Sequence, residues 1–140
     1  MAFPETSPQY IAAAVTLPVN GVASTEVIIG KVKKLGTITD VWAMTDGTAA
    51  STSNLTCTIY NRGTALTGTA IIDVLGGAGT TWGATTPKAG TVANNTDIDA
   101  DSYITAKVER IAASTASAWV ISVGAVFVPG SPAAVGAIDT

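Results

Sequence analysis

The chain has 140 residues, of which 47% are hydrophobic and only 12% charged, and its net charge is -3. That length suits one domain with a full core, and 7 Lys and Arg are too few for a nucleic-acid surface. With no histidine present, Ser-His and Cys-His catalysis and ordinary zinc sites are excluded.

The amino terminus, MAFPETSPQY, has neither a basic n-region nor an apolar h-region, so the sequence predicts a chain made in the cytoplasm without export. Gln9 to Leu17 reads as a first strand, stopped by Pro18 and the Asn20-Gly21 turn signal. Residues 25–32 read as a second. Lys31, Lys33 and Lys34 form a short basic cluster there, the pattern of a solvated strand end. Residues 36–44 make a third strand, with Ile38, Trp42 and Met44 expected on one face and Val41 and Ala43 on the other.

A polar, turn-rich loop follows over residues 45–53. Residues 54–60 then alternate cleanly, with Leu55, Cys57 and Ile59 inward and Thr56, Thr58 and Tyr60 outward. Cys57 is the single cysteine, so no internal disulfide can form, and its aliphatic neighbours mark it as a buried small hydrophobe. Asn61-Arg62-Gly63 reads as a turn, and residues 69–75 as another strand. Residues 76–95 read as a long loop carrying Gly76-Gly77-Ala78-Gly79, Trp82 and Pro87. No Lys-Ser/Thr pair follows the glycines, so they make no phosphate cradle.

The run Asp97-Ile98-Asp99-Ala100-Asp101 resembles the start of a calcium loop. It has Ser102 where that loop needs Gly, and Val108 where it needs Glu. A solvated turn is the expectation. Residues 102–111 alternate again, with Ile104, Ala106 and Val108 toward the core and Lys107 and Glu109 outward. No paired carboxylates or other catalytic constellation appears, so the chain is expected not to be an enzyme and to need no cofactor.

The last strand, SAWVISVGAVFVPG, is apolar on both faces. Trp119, Ile121, Val123, Ala125 and Phe127 share one face, while Val120, Val126 and Val128 share the other. The run from 116 to 128 is well short of the ~20 residues of a spanning helix, and its β-branched residues favour a strand. No membrane is implied. In a small sandwich the domain covers only the inner face, so Val120, Val126 and Val128 are candidate subunit-interface residues. The Trp119/Phe127 face is expected to fill the core. Residues 1–9 and 129–140 are rich in Pro, Gly and Ala, and read as arms around a domain of residues 10–128.

About eight short strands with regular turn signals indicate an all-β sandwich, with jelly-roll connectivity as the natural expectation. The patterns GTITDVWAMTDGTAASTSNLTCTIYNRG, DIDADSYITAKVER and SAWVISVGAVFV resemble small β-sandwich structural proteins of tailed bacteriophages. The resemblance spans residues 36–128 and rests on the order of strands. It implies a capsid decoration, or cement, protein with a jelly-roll-like fold. Such a protein is a homotrimer on the outside of the virion capsid, with the major capsid protein as its partner. The alternative is a head-fibre or receptor-binding module, for which Trp82 is the candidate loop contact for stacking on a glycan, although a Trp in such a loop more often anchors its loop or a subunit contact.

Overall fold

The computed structural model describes residues 7–17, 23–48, 54–77, 80–92, 97–110 and 119–130. The Asn20-Gly21 turn, residues 49–53, the Ala78-Gly79 half of the glycine run, and most of both arms lie outside the described residues.

The described strands are β1 (Gln9–Leu17), β2 (Ala23–Lys31), β3 (Gly36–Thr45), β4 (Leu55–Gly63), β5 (Ala70–Gly76), β6 (Lys88–Ala89), β7 (Asp97–Ile98), β8 (Tyr103–Arg110) and β9 (Trp119–Pro129). No helix forms among the described residues. The front sheet runs β1-β9-β3-β6, with β7 also on β3, and the back sheet runs β2-β8-β4-β5. All named pairs are antiparallel.

The pairing is nested. β4 pairs with β5, β3 with β6 and β7, β2 with β8, and β1 with β9. This is a long hairpin rolled so that its successive rungs fall alternately in the two sheets, which is a jelly roll. β6 and β7 share one edge of β3 and together stand in the place of one strand.

The inward faces follow the alternation read from the sequence in β4, β8 and β9. Leu55, Cys57, Ile59, Ile104, Ala106, Val108, Ile121, Val123, Ala125 and Phe127 are all buried in one core. Trp119 closes that core at one end, with the guanidinium of buried Arg110 5.2 Å from its ring centre.

β3 departs from the expected pattern. Ile38 pairs with Phe127 and Asp40 with Val126, so Thr39 is an extra residue with no partner on β9. This β-bulge moves the alternation by one. Ile38, Val41 and Ala43 are therefore buried together, while Trp42 and Met44 turn to the outer face. The expected grouping of Ile38 with Trp42 and Met44 is corrected accordingly.

Three smaller readings also change. The 61–63 segment continues β4 instead of turning the chain. Lys88–Ala89 forms a short strand inside the long loop. Asp97–Ile98 forms another, with Ile98 fully buried, so only the stretch after Ile98 is the expected turn. Ser102 N–H donates to Asp99 O there at 3.3 Å.

Candidate functional site

The two outer faces of the sandwich differ in chemistry. On the back sheet, Glu26 lies level with Lys107 and Thr58, and Ser24 with Glu109 and Thr56. Arg62 Nε and Nη2 donate to the two Glu26 carboxylate oxygens at 2.8 and 2.6 Å, a bidentate pair. Thr105 Oγ1 donates to the same carboxylate at 2.7 Å. The Arg62 guanidinium also stacks on Tyr60, 3.8 Å from the ring centre, and Nη1 donates to Gly68 O. The hydrogen bond from Arg62 holds the Glu26 carboxyl below its ordinary range, against the opposing effect of burial. Ile28, Ile71 and Val74 are exposed on the same face, so it mixes this ionic network with apolar side chains.

The front sheet's outer face carries almost no charge. Its rungs read Tyr10–Val126–Asp40, Ala12–Gly124–Trp42, Ala14–Ser122–Met44 and Thr16–Val120 from β1 across β9 to β3. Val128, beside Thr37, completes it. Three carboxylates mark its ends. Asp40 and Asp97 lie at one, where Asp97 accepts from Thr37 Oγ1. At the other, Asp46 accepts from the Val120 N–H at 3.0 Å.

Tyr10 is 81% exposed and Val120 37%, while Val126 and Val128 are half-buried by their neighbours. The candidate residues Val120, Val126 and Val128 thus share one surface. Tyr10, Ala12, Ala14, Trp42 and Met44 belong to it too. Sequence spacing missed these because small alanines carry no period, and because the Thr39 bulge hid the direction of Trp42.

Trp82 is 0% exposed, and its indole N–H donates to Leu55 O at 2.9 Å. It anchors its loop to the core, so its ring offers no face to a glycan. That corrects its candidacy as an outward loop contact. Gly76 makes room for the ring, since its φ is positive and a Cβ there would strike the Trp82 indole.

An open groove of about 550 Å³ runs between the free edges β5 and β6. Its charged groups are Asp73 and Lys88. Asp73 Oδ1 accepts from the Val74 N–H at 2.8 Å, and the Lys88 ammonium sits 5.4 Å from the centre of the Trp82 ring. Cys57 lies in the core, where burial pushes its thiol up to about 12.

The fold has a counterpart among solved structures. A chain of the cyanophage Pam1 capsid asymmetric unit superposes with a TM-score of 0.59 at 12% identity. The match covers 90% of this chain and 87% of that one. What the two share is the jelly roll. No family model matches the sequence, and no curated protein matches it either.

Proposed function

We propose that this chain is a non-enzymatic structural protein of a phage virion. In this reading it is a decoration protein that sits as a homotrimer on the outside of the mature head and braces the major capsid protein beneath it. The observation that carries the reading is a jelly roll matched over 90% of its length by a chain of a phage capsid asymmetric unit. The strand patterns of residues 36–128, which resemble phage decoration proteins, support the same conclusion.

The mechanism is mechanical. Each copy makes modest contacts with the shell, and linking three copies raises binding by roughly 10²–10⁴ where the geometry lets them engage together. The bracing opposes the outward pressure of packaged DNA without touching it, which fits a net charge of -3. The protein is made in the host cytoplasm and added to the capsid exterior, with residues 1–9 and 129–140 as arms that contact the shell or a neighbour. The competing reading as a glycan-binding head-fibre module loses its aromatic candidate, since Trp82 is buried.

Co-sedimentation tests the proposal. Purified protein mixed with empty mature capsids lacking it should pellet with them at a fixed stoichiometry. Protein that stays in the supernatant at saturating concentration would remove the decoration role.

A further inference from the structure

The two sides of the sandwich close differently. On one, the edge strands β1 and β2 lie against each other, and a Cβ on Gly30 would come within 3.1 Å of Ile11. On the other, β5 is bonded to β4 alone and faces β6 across the open groove. β6 is two residues long and carries Lys88 behind Pro87, features that keep an edge from pairing further. β5 is longer and has neither Pro nor Lys. It reads AIIDVLG, with Ile71 and Val74 exposed and Asp73 as its only charge. An apolar, β-branched edge of that length is a template for pairing with another chain.

Asp73 points the unexpected way. It lies opposite Ile59, whose side chain is fully buried, so it shares the inward face with Leu75. A β-bulge brings it there: Ile71 pairs with Tyr60 and Asp73 with Ile59, which leaves Ile72 as the extra residue. Gly77 N–H donates to Leu55 O, so the bonds to β4 fall at alternate residues and the Val74 N–H points away from β4. Asp73 Oδ1 accepts that outer N–H at 2.8 Å. Asp73 Oδ2 is buried and has no hydrogen-bond partner among the described residues. It stands over Gly90, where a Cβ would overlap it. A buried oxygen without a partner weakens a fold, so packing does not account for this carboxylate.

We infer that Asp73 guards the open side of the sandwich: its carboxylate denies the outer edge of β5 to any further strand, including β5 of another copy. A strand laid there needs the Val74 N–H that Asp73 already holds. It would also shut the carboxylate away from water, while the groove's cation, Lys88, is turned to the Trp82 ring. The inference stands apart from the decoration reading, because this edge must stay unpaired in whatever assembly the chain forms.

Asp73→Val in the full-length protein tests this, since it removes the charge and suits an apolar strand. Light scattering should give the variant a mass at least about twice that of the wild type at the same micromolar concentration, as β5 edges pair around a two-fold axis. Cys57 reports whether the associating protein is folded. Buried in the core, it should stay unreactive to maleimide in wild type and variant alike. Adding Val74→Pro should return the mass to the wild-type value, because proline removes the outer N–H without breaking a bond to β4. If proline exposes Cys57, Val74→Lys serves in its place, by charging the same edge.

A wild-type mass for Asp73→Val with Cys57 silent would overturn the inference. So would a rise in mass that neither change at Val74 reverses, which would put the contact elsewhere. If Asp73→Val exposes Cys57, Asp73→Asn keeps the shape, removes the charge and carries the same test. Reactive Cys57 in both would overturn the inference as well, by making Asp73 a requirement of the fold.

Discussion

The indole of Trp42 lies across the backbone of Gly124, so close that a Cβ at Gly124 would overlap its ring atoms. Any side chain there must lift the ring. Trp42 is half-buried on an outer face, so it can swing away without opening the core. Gly124→Ala should therefore fold, at a cost of about 1–3 kcal/mol for the forced repacking. Trp82 and Trp119 are buried, so a red shift in tryptophan emission would report Trp42 alone. Unchanged emission would mean that the ring does not rest on β9.

The Trp82 side chain supplies both bulk and a hydrogen bond, and two substitutions separate them. Trp82→Ala should cost about 3–5 kcal/mol in urea denaturation, from the cavity it leaves. Trp82→Phe keeps most of the bulk and removes the N–H that serves Leu55 O. Gly77 N–H also reaches that oxygen, at 3.4 Å, so the loss should be near 1 kcal/mol. If Phe costs as much as Ala, the hydrogen bond and not the packing holds the loop.

Cys57 should be inert in the native protein. Burial pushes its pKa up to about 12, so the thiol stays protonated at neutral pH and no reagent can reach it. Its reaction with a thiol reagent should track global unfolding across a denaturant series. Fast labelling without denaturant would contradict the packing around β4. Cys57→Ser should cost about 1–3 kcal/mol, from a hydroxyl placed in an apolar site.

The Glu26–Arg62 pair should leave a signature in acid. Its hydrogen bond holds the folded-state pKa of Glu26 below the ordinary value. The stabilisation is therefore present above about pH 4.3, the unfolded value, and is lost as pH falls through the folded one. Both side chains keep some exposure, 16% for Arg62 and 29% for Glu26. The contribution should accordingly be about 1 kcal/mol or less. Melting temperature should fall on acidification in the wild type, and Glu26→Gln should flatten part of that fall. An identical slope in both proteins would show that other carboxylates govern the response.

The parts of the fold legible from sequence are those with an undisturbed period of two. Leu55-Thr56-Cys57-Thr58-Ile59 and Ile104-Thr105-Ala106-Lys107-Val108 gave their inward faces directly, because every second residue is apolar. β6 and β7 were illegible because two residues have no period. Arg110 is fully buried against Trp119, a partner the strand pattern could not supply. The candidate surface was half legible. Val120, Val126 and Val128 stood out on a strand apolar on both faces, but Ala12 and Ala14 acquire meaning only from the register that sets them beside Gly124 and Ser122. On β3, one extra residue reversed the reading.

That extra residue makes a sharp prediction. Thr39 is exposed and has no partner on β9, whereas Ile38 and Asp40 pair with consecutive residues, Phe127 and Val126. Deleting Thr39 leaves Ile38 in, Asp40 out, Val41 in and Trp42 out, a regular ladder with every pair kept. The deletion removes the local bend and the contact from Thr39 Oγ1 to Asp40. It should fold, with a loss of no more than about 3 kcal/mol. Deleting Val41 two residues on has no such escape. Either Trp42 must turn into the core, or the bulge is absorbed and Asp40 is buried there. Val41→Ala trims the same side chain without moving the register, so it separates the lost methyls from the slip. Far-ultraviolet circular dichroism and thermal melts on the three variants decide the matter. The Thr39 deletion and Val41→Ala should melt cooperatively, and the Val41 deletion should not. If the Thr39 deletion fails as well, the bend at the bulge is itself required to curve β3 over the core.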